Sequence, residues 1–212
     1  MWPYPKIVAH RGGGSLAPEN TLAAINCGLI HGFRAIEFDV MLSRDDIPVL
    51  MHDPQFGRTV RGSGSVPSSS AAELGAMDAG SWFGGAFAGE PVPTYAQVVA
   101  FCKAHGVWMN VEIKPAEGFE RRTGQLVAAL TRTLFAPEIS AAAALAAGAA
   151  DARALPLFSS FSFDALIAAR DAAPEIPRGY LVEAIPPDWQ ARLVALQAVT
   201  LQIGRASCRE RV

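Results

Sequence analysis

The chain has 212 residues, of which 50% are hydrophobic and 18% are charged, and its formal net charge at pH 7 is −2. Without the three arginines and one glutamate among the last ten residues the net charge becomes −4, so the composition argues against binding to nucleic acid or to an anionic membrane. The cysteines lack a CxxC or Cys/His spacing, which argues against a disulfide framework and a structural zinc site and favours a cytoplasmic location.

The last ten residues, 203–212, match the translation of the start of a common sequencing-library adapter. We therefore expect a single domain at residues 1–202, followed by a tail that is foreign to it. The alternative is a natural basic tail. A nucleotide sequence whose codons differ from those of the adapter would establish this alternative. We expect neither a secretion signal nor a membrane-spanning segment, because no apolar run in the sequence has the required length.

Apolar runs separated by turn signals predict strands and helices that alternate along the chain. In chain order the predicted elements are strand 6–9, helix 20–31, strand 34–41, strand 47–52, helix 95–105, strand 107–113, helix 121–134, strand 155–160, helix 163–172, strand 180–182, helix 189–196 and strand 198–201. Gly32 and Gly106 directly follow two of the helices, as glycine often does at the C-terminus of a helix.

Charged side chains lie at the ends of four apolar runs, at residues 10–11, 37–39, 52–53 and 112–114. Burying an unpaired charge is costly, so such residues are retained where they meet each other, a cation or a ligand. Four such groups at strand ends predict one polar site at one edge of a sheet or barrel.

The alternation of strands and helices predicts a parallel sheet, which is either doubly wound or closed as a TIM-type (β/α)8 barrel. A doubly wound sheet takes its site mainly from one switch point, whereas a barrel gathers its site from several strand ends. The spread of the charged groups favours the barrel, with residues 54–93, rich in glycine and serine, as an excursion over its mouth. Typical barrels need about 250 residues, so we expect this one to be incomplete at the C-terminus.

Several motifs resemble those of the glycerophosphodiester phosphodiesterases. They are VAHRGGGSLAPENT at 8–21, IEFDV at 36–40, PVLMHD at 48–53 and NVEIKP at 110–115. The opening WPYPKIVAHRGG, DAGSWF at 78–83 and LFSSF at 157–161 are most similar to the short cytosolic bacterial type. The resemblance implies a barrel like that of phospholipase C-like phosphodiesterases. It also implies metal-dependent hydrolysis of small glycerophosphodiesters to sn-glycerol 3-phosphate and an alcohol, without nucleic acid or membrane partners, and it gives no indication of oligomeric state.

The acidic residues of these motifs are candidate metal ligands. Glu37 and Asp39 are two apart on a strand, so both point to the same face. With Glu112 from a neighbouring strand they can supply oxygens to one cation, for which Mg²⁺ or Ca²⁺ suits better than zinc. We expect Arg11 and Lys114 to hold the substrate phosphate; the alternative is that they form ion pairs with the acids.

His10 and His52 are the candidate acid–base pair. One would take a proton from the attacking hydroxyl, and the other would give a proton to the leaving alcohol. The resemblance implies that the 2-hydroxyl of glycerol attacks phosphorus and that water opens the resulting cyclic phosphate. The sequence leaves open which histidine has which role.

Three further polar residues are candidates to orient the site residues without contacting the substrate. Asp53 directly follows His52, whereas Glu19 and Asn20 lie at the start of the first predicted helix. These two residues either orient His10 or Arg11 or simply cap the helix.

Two other functions are compatible with the same motifs. A phospholipase-like phosphodiesterase would share the barrel, but the sequence has no amphipathic or apolar segment for docking to a membrane. A fragment without its closing strands would expose two sheet edges and have no activity.

Overall fold

Six strands lie in one sheet with seven α-helices in the computed structural model, which describes residues 3–144 and 154–204. The strands are β1 (Ala35–Leu42), β2 (Pro48–Leu50), β3 (Trp108–Ile113), β4 (Leu157–Ser160), β5 (Arg178–Val182) and β6 (Thr200–Ile203). The helices are α1 (Leu22–Ile30), α2 (Ala71–Gly75), α3 (Tyr95–Ala104), α4 (Glu120–Leu134), α5 (Ala136–Ala144), α6 (Phe163–Ala172) and α7 (Trp189–Leu196). Most of the predicted tail, residues 205–212, lies outside the described residues.

The strand order is β2-β1-β3-β4-β5-β6, and every neighbouring pair except β2–β1 is parallel. At least one helix separates each two consecutive parallel strands, which is the arrangement of a (β/α) barrel. Over the described residues the sheet is open, with β6 at one edge. Asp39 of β1 lies opposite Glu112 of β3, and Glu112 lies opposite Ser159 of β4. Side chains from three strands therefore share one layer of the sheet.

Strand β2 differs from the parallel strand expected of a barrel, because it forms an antiparallel hairpin with β1. Leu42 pairs with Pro48 at the start of β2, and Met51, just after β2, donates its N–H to the carbonyl of Asp39 at 3.2 Å. The hairpin extends β1 beyond its parallel pairing with β3 and then returns along it. His52 therefore follows a residue bonded to Asp39 and does not stand at the end of a parallel strand.

The first predicted strand, residues 6–9, is wrong in length, because only Ala9 pairs with β1. The N–H of Ala9 donates to the Ala35 carbonyl, and its own carbonyl accepts from the N–H of Glu37, both at 2.9 Å. Ile7 is 72% exposed, whereas Val8 is half-buried against the core and Ala9 is buried in it, so only the end of the apolar run enters the core. The pairing of Ala9 still fixes the following turn against β1.

Local capping signals explain why most helix bounds agree with the prediction. Thr94 and Gln97 form a capping box at the start of α3. Helix α1 begins two residues later than predicted because Thr21 caps it, its side chain accepting the N–H of Ala24 at 3.1 Å. Helix α5 was not predicted as a helix.

The apolar core of the described residues has three parts. The largest part involves the sheet and its surrounding helices, and the smallest part consists of Tyr4, Ala35, Trp108 and Leu157. The remaining part joins the β1–β2 hairpin to residues 54–93, here termed the excursion. Its buried members are Met41, Val49, Met51, Val60, Val66, Leu74, Ala79 and Val92. The N–H of Leu50 donates to the carbonyl of Pro93 at 3.0 Å, so the two ends of the excursion lie close together.

No helix among the described residues has, on its own, both the length and the apolar composition needed to cross a membrane. Helices α4 and α5 pass this test only as a pair, and they are bent by 72° where they meet.

Candidate active site

Three carboxylates from two neighbouring strands meet near the end of the parallel pairing. Glu37 and Asp39 lie on β1 and Glu112 lies on β3, and one oxygen from each lies within 4.8 Å of the others. Glu37 and Asp39 are buried, with 8% and 2% of their surface exposed. These three residues are termed the carboxylate cluster.

Burial and mutual repulsion oppose ionisation within the carboxylate cluster. Desolvation raises the pKa of Glu37 well above its usual range, and the charges of Asp39 and Glu112 raise it further. Desolvation and Asp39 likewise raise the pKa of Glu112 to about 7. Glu37 Oε1 is buried without a hydrogen-bond partner in the described structure. A divalent cation would satisfy this oxygen and offset the repulsion, so the cluster fits a hard cation with oxygen ligands.

Asp39 also contacts three side chains outside the cluster. Its Oδ2 accepts a hydrogen bond from Asn20 Nδ2 at 2.8 Å, and its N–H donates to Asn20 Oδ1 at 3.0 Å. Lys114 Nζ lies 3.3 Å from Oδ1, and Arg11 Nε lies 3.5 Å from Oδ2. Arg11 and Lys114 therefore form ion pairs with Asp39, which is the alternative that the sequence left open for these two cations. Within the described ranges neither cation forms an ion pair with Glu37.

The turn that carries Arg11 has an unusual backbone. The φ angle of Arg11 is 51°, a left-handed conformation that is unfavourable for residues other than glycine. This conformation directs its N–H to Glu37 Oε2 at 3.0 Å. The next residue, Gly12, lies so close to α1 that a Cβ would stand 2.9 Å from the Ile25 nitrogen. The turn is therefore fixed from both sides, by a buried carboxylate and by a helix.

The two candidate histidines occupy different environments. His10 has a 60% exposed side chain, and its Nε2 lies 3.8 Å from Glu37 Oε2. Desolvation and then the charge of Arg11 lower the pKa of His10, although water screens part of this effect at an exposed ring. His52 Nδ1 lies 2.6 Å from Asp53 Oδ1. Because an ionised carboxylate only accepts hydrogen bonds, Nδ1 carries the proton in this contact, and Nε2 takes no part in it.

Glu19 and Asn20 hold side chains of the site, and neither caps α1. Glu19 Oε1 accepts a hydrogen bond from Arg11 Nη1 at 2.8 Å. Asn20, with φ of 60°, bonds to Asp39 as described above. The cap of α1 is Thr21, so the capping alternative is wrong for both residues.

Arg58, in the excursion, is a site residue that the sequence analysis missed. It donates hydrogen bonds to both Asp53 and Glu19. Arg58 and Arg61 are the only charged residues between positions 54 and 72, and this isolation is the one signal that the sequence carries. It does not identify the partners, because Glu19 stands 39 residues away in sequence.

Two cavities reach the carboxylate cluster. One has a volume of about 430 Å³ and is lined in part by Glu112, Lys114 and Phe161. The other has a volume of about 470 Å³ and is lined in part by His10 and Glu37. Both volumes lie within the range of small-molecule sites.

The raised pKa values predict how the stability of the cation-free protein depends on pH. A carboxyl whose pKa is raised on folding stabilises the folded state below its unfolded pKa, and this contribution is lost as the pH rises through the folded pKa. For Glu37 and Glu112 the loss begins near pH 4.5 and, for Glu112, passes through about pH 7. We expect the unfolding temperature in EDTA to fall by roughly 5 °C or more between pH 5 and pH 8.

Differential scanning fluorimetry with and without saturating Mg²⁺ or Ca²⁺ measures this effect. The cation should reduce the fall, because it stabilises the ionised carboxylates. An unfolding temperature in EDTA that stays constant or rises over this range would contradict the prediction.

Comparisons with known proteins agree with the motifs. The sequence matches the Glycerophosphoryl diester phosphodiesterase family over residues 10–211. A glycerophosphodiester phosphodiesterase of Caldanaerobacter subterraneus is 39% identical over 108 residues, which cover 51% of this chain and 44% of that protein. The chain thus spans about half the length of the curated relatives it matches.

Solved structures of similar proteins cover more of the chain. A phosphodiesterase of Oleispira antarctica, solved in complex with the product sn-glycerol-3-phosphate, is 38% identical with a TM-score of 0.76, over 94% of this chain and 74% of its own. A glycerophosphodiester phosphodiesterase of Agrobacterium tumefaciens is 28% identical with a TM-score of 0.72, over 94% and 76%. These similarities confirm the predicted α/β barrel class.

Proposed function

Because the chain belongs to the glycerophosphoryl diester phosphodiesterase family, we propose that it hydrolyses glycerophosphodiesters to sn-glycerol 3-phosphate and an alcohol. The main support is the carboxylate cluster, together with Arg11 and Lys114, whose nitrogens lie 3.5 and 3.3 Å from Asp39. Fixed negative and positive groups side by side suit a cation and a phosphate that bind together. The sn-glycerol-3-phosphate bound to the Oleispira antarctica relative supports the substrate class.

The carboxylate cluster would hold one divalent cation, Mg²⁺ or Ca²⁺, because all its donors are oxygens. When bound, such a cation supplies positive charge that offsets the negative charge developing on the phosphate. Arg11 and Lys114 bind the same phosphate, Arg11 through its planar guanidinium and Lys114 as a point charge. Their side chains are 19% and 27% exposed, which leaves both accessible to a substrate.

His10 and His52 move the protons. In the first step the 2-hydroxyl oxygen of glycerol bonds to phosphorus while the bond from phosphorus to the leaving alcohol breaks. One histidine takes the hydroxyl proton, and the other gives its proton to the alcohol oxygen. In the second step water bonds to phosphorus and the bond to the glycerol 2-oxygen breaks, with the two histidines in exchanged roles. This step releases sn-glycerol 3-phosphate and restores the original protonation of both rings.

Two further parts of the proposal rest on single observations. The excursion would cover the mouth of the active site, and the bonds from its residue Arg58 to Glu19 and Asp53 support this part of the proposal. The protein works in the cytoplasm, a reducing compartment that suits the unpaired Cys27 and Cys102.

Purified protein should release sn-glycerol 3-phosphate from glycerophosphodiesters only in the presence of a divalent cation. We expect EDTA to lower the rate by about 10²-fold or more, and Mg²⁺ or Ca²⁺ to restore it, because the cation offsets charge in the transition state. An analogue without the 2-hydroxyl should not be cleaved, since it lacks the attacking oxygen. Phosphorus-31 NMR distinguishes substrate, cyclic phosphate and product.

Each result bears on a separate part of the proposal. An undiminished rate in EDTA would contradict the role of the cation. Cleavage of the 2-deoxy analogue would contradict the cyclic intermediate. Absence of product from every glycerophosphodiester tested with either cation would contradict the proposed function, and hydrolysis of intact phospholipid vesicles alone would favour the phospholipase-like alternative.

A further inference from the structure

Arg58 joins two parts of the site that are distant in sequence. Its Nε donates to Asp53 Oδ2 at 2.6 Å, and its Nη2 and Nη1 donate to Glu19 Oε1 and Oε2 at 2.6 and 2.7 Å. Asp53 is bonded to His52 and Glu19 is bonded to Arg11. A continuous series of hydrogen bonds between charged groups therefore runs from one candidate catalytic histidine to the arginine proposed to hold phosphate.

We propose that Arg58 is a positioning residue that holds Asp53 and Glu19 in place, so that His52 and Arg11 act on the same phosphodiester. The inference rests on the proposed function for its catalytic meaning. Arg58 does not itself need to contact the substrate. Its contribution is to fix two side chains from different parts of the chain relative to each other.

The geometry of the guanidinium explains why an arginine stands at this position. Arg58 uses Nε on one carboxylate and both terminal nitrogens on the other. A lysine ammonium has no such planar arrangement of donors and would bind the two carboxylates less rigidly. Glu19 is only 13% exposed, so this contact is more shielded from water than an ordinary surface ion pair. Arg122 offers such an ordinary pair for comparison, because it and its partner Asp46 are 58% and 37% exposed.

Arg58 also affects the charge that His52 experiences. Desolvation raises the pKa of Asp53, but the hydrogen bonds and charges of Arg58 and His52 together lower it further, and the hydrogen bond from Arg58 is the largest of these lowering effects. The other charged groups that interact electrostatically with His52 are Glu19 and His10. Without Arg58 the negative charge of Asp53 faces His52 uncompensated, which favours the imidazolium form. We therefore expect the pKa of His52 to rise in a variant that lacks the guanidinium.

Arg58→Ala should lower kcat about tenfold, a typical loss when a group that orients a functional side chain is removed. The limb of the pH–rate profile that belongs to His52 should move to higher pH. Arg58→Lys should recover part of kcat. If Arg58→Ala does not fold, the kcat and pH profile of Arg58→Lys test the proposal instead. The control Arg122→Ala loses a guanidinium–carboxylate pair of similar geometry and should leave kcat and the pH profile unchanged. A kcat for Arg58→Ala equal to that of the parent protein overturns the proposal.

A double-mutant cycle tests whether Arg58 acts through Asp53. In an Asp53→Asn background, Arg58→Ala should lower kcat by clearly less than tenfold, because the part of the loss that depends on Asp53 is already absent and only the contact with Glu19 remains to be lost. A full tenfold loss in that background would show that Arg58 does not act through Asp53 and would overturn the proposal.

A measurement that does not depend on catalysis separates this inference from the proposed function. The chain has four histidines, so the imidazole signal of His52 is identified in NMR spectra by its loss in His52→Ala. Its pKa should be higher in Arg58→Ala than in the parent protein or in Arg122→Ala. An unchanged pKa overturns the inference even if the enzyme is active. A raised pKa in a protein without phosphodiesterase activity would support the inference and contradict only the proposed function.

Discussion

Replacing Glu37 with glutamine should nearly abolish cation-dependent hydrolysis and, at the same time, make the cation-free protein more stable at pH 8. The neutral amide removes one of three anionic ligands, and we expect kcat/KM to fall by about 10³-fold, because a bound cation contributes several kcal/mol to the transition state. In the cation-free protein the same change removes a buried charge that Asp39 and Glu112 make difficult to ionise. The unfolding temperature at pH 8 should therefore rise.

The opposite signs of these two effects make the experiment informative. Hydrolysis assays with Mg²⁺ or Ca²⁺ measure the first effect, and thermal unfolding in EDTA measures the second. Glu175→Gln is a matched control, because Glu175 pairs with Arg132 at 2.9 Å and lies just before β5, away from the carboxylate cluster. It should leave kcat/KM unchanged. If Glu37→Gln destabilised the cation-free protein at pH 8 and preserved activity, Glu37 would be a structural residue and not a ligand.

Replacing either His10 or His52 with alanine should lower kcat by about 10²–10⁴-fold, the range typical of a lost general acid or base. The fold should be retained, because the His10 side chain is 60% exposed and that of His52 is 28% exposed. Steady-state kinetics with a glycerophosphodiester, together with a thermal unfolding curve for each variant, measure both properties. His105→Ala is the control, since His105 ends α3 and stacks on Phe101, and it should keep full activity.

A substrate with a good leaving group should reveal which histidine is the acid. A nitrophenyl ester of glycerol phosphate releases a stable phenolate and does not need a proton on the leaving oxygen. The variant that lacks the general acid should therefore cleave this ester at nearly the parent rate, whereas the variant that lacks the base should remain slow. Full activity of both variants on natural substrates would contradict the assignment of both histidines.

Elements with local signals at their ends were predicted well. Helices α3, α6 and α7 match the predicted bounds within one residue. Helices α3 and α6 begin at side-chain caps, and Gly106 lies just beyond the end of α3, whereas α7 has no side-chain cap. Strand 6–9 had no comparable signal, and within its short apolar run Ile7 is exposed and only Ala9 is buried. The direction of β2 was not predictable from its own residues, because an edge strand can pair either way and only the length of the turn after β1 requires a hairpin.

The same distinction applies to the site. Glu37, Asp39 and Glu112 could be grouped from the sequence, because alternate strand residues share a face and parallel neighbours align. The hydrogen bonds between Asn20 and Asp39 depend on the left-handed backbone of Asn20, and no residue pattern in the sequence predicts that conformation. The contacts of Arg58 are also long-range side-chain contacts without a local pattern. Predicted strands therefore identified the carboxylate cluster, whereas the residues that orient it became visible only in three dimensions.

The excursion is a segment whose two ends meet on the β1–β2 hairpin and whose apolar residues pack with that hairpin in a cluster separate from the main core. Such a segment can change in length or sequence over evolution without disturbing the pairing of the parallel strands. Because it also supplies Arg58, a change that moves Arg58 would alter the contacts that hold Asp53 beside His52 and Glu19 beside Arg11. The barrel and the excursion could thus diversify at different rates, with the barrel keeping the carboxylate cluster and the excursion adjusting the efficiency of the proposed reaction.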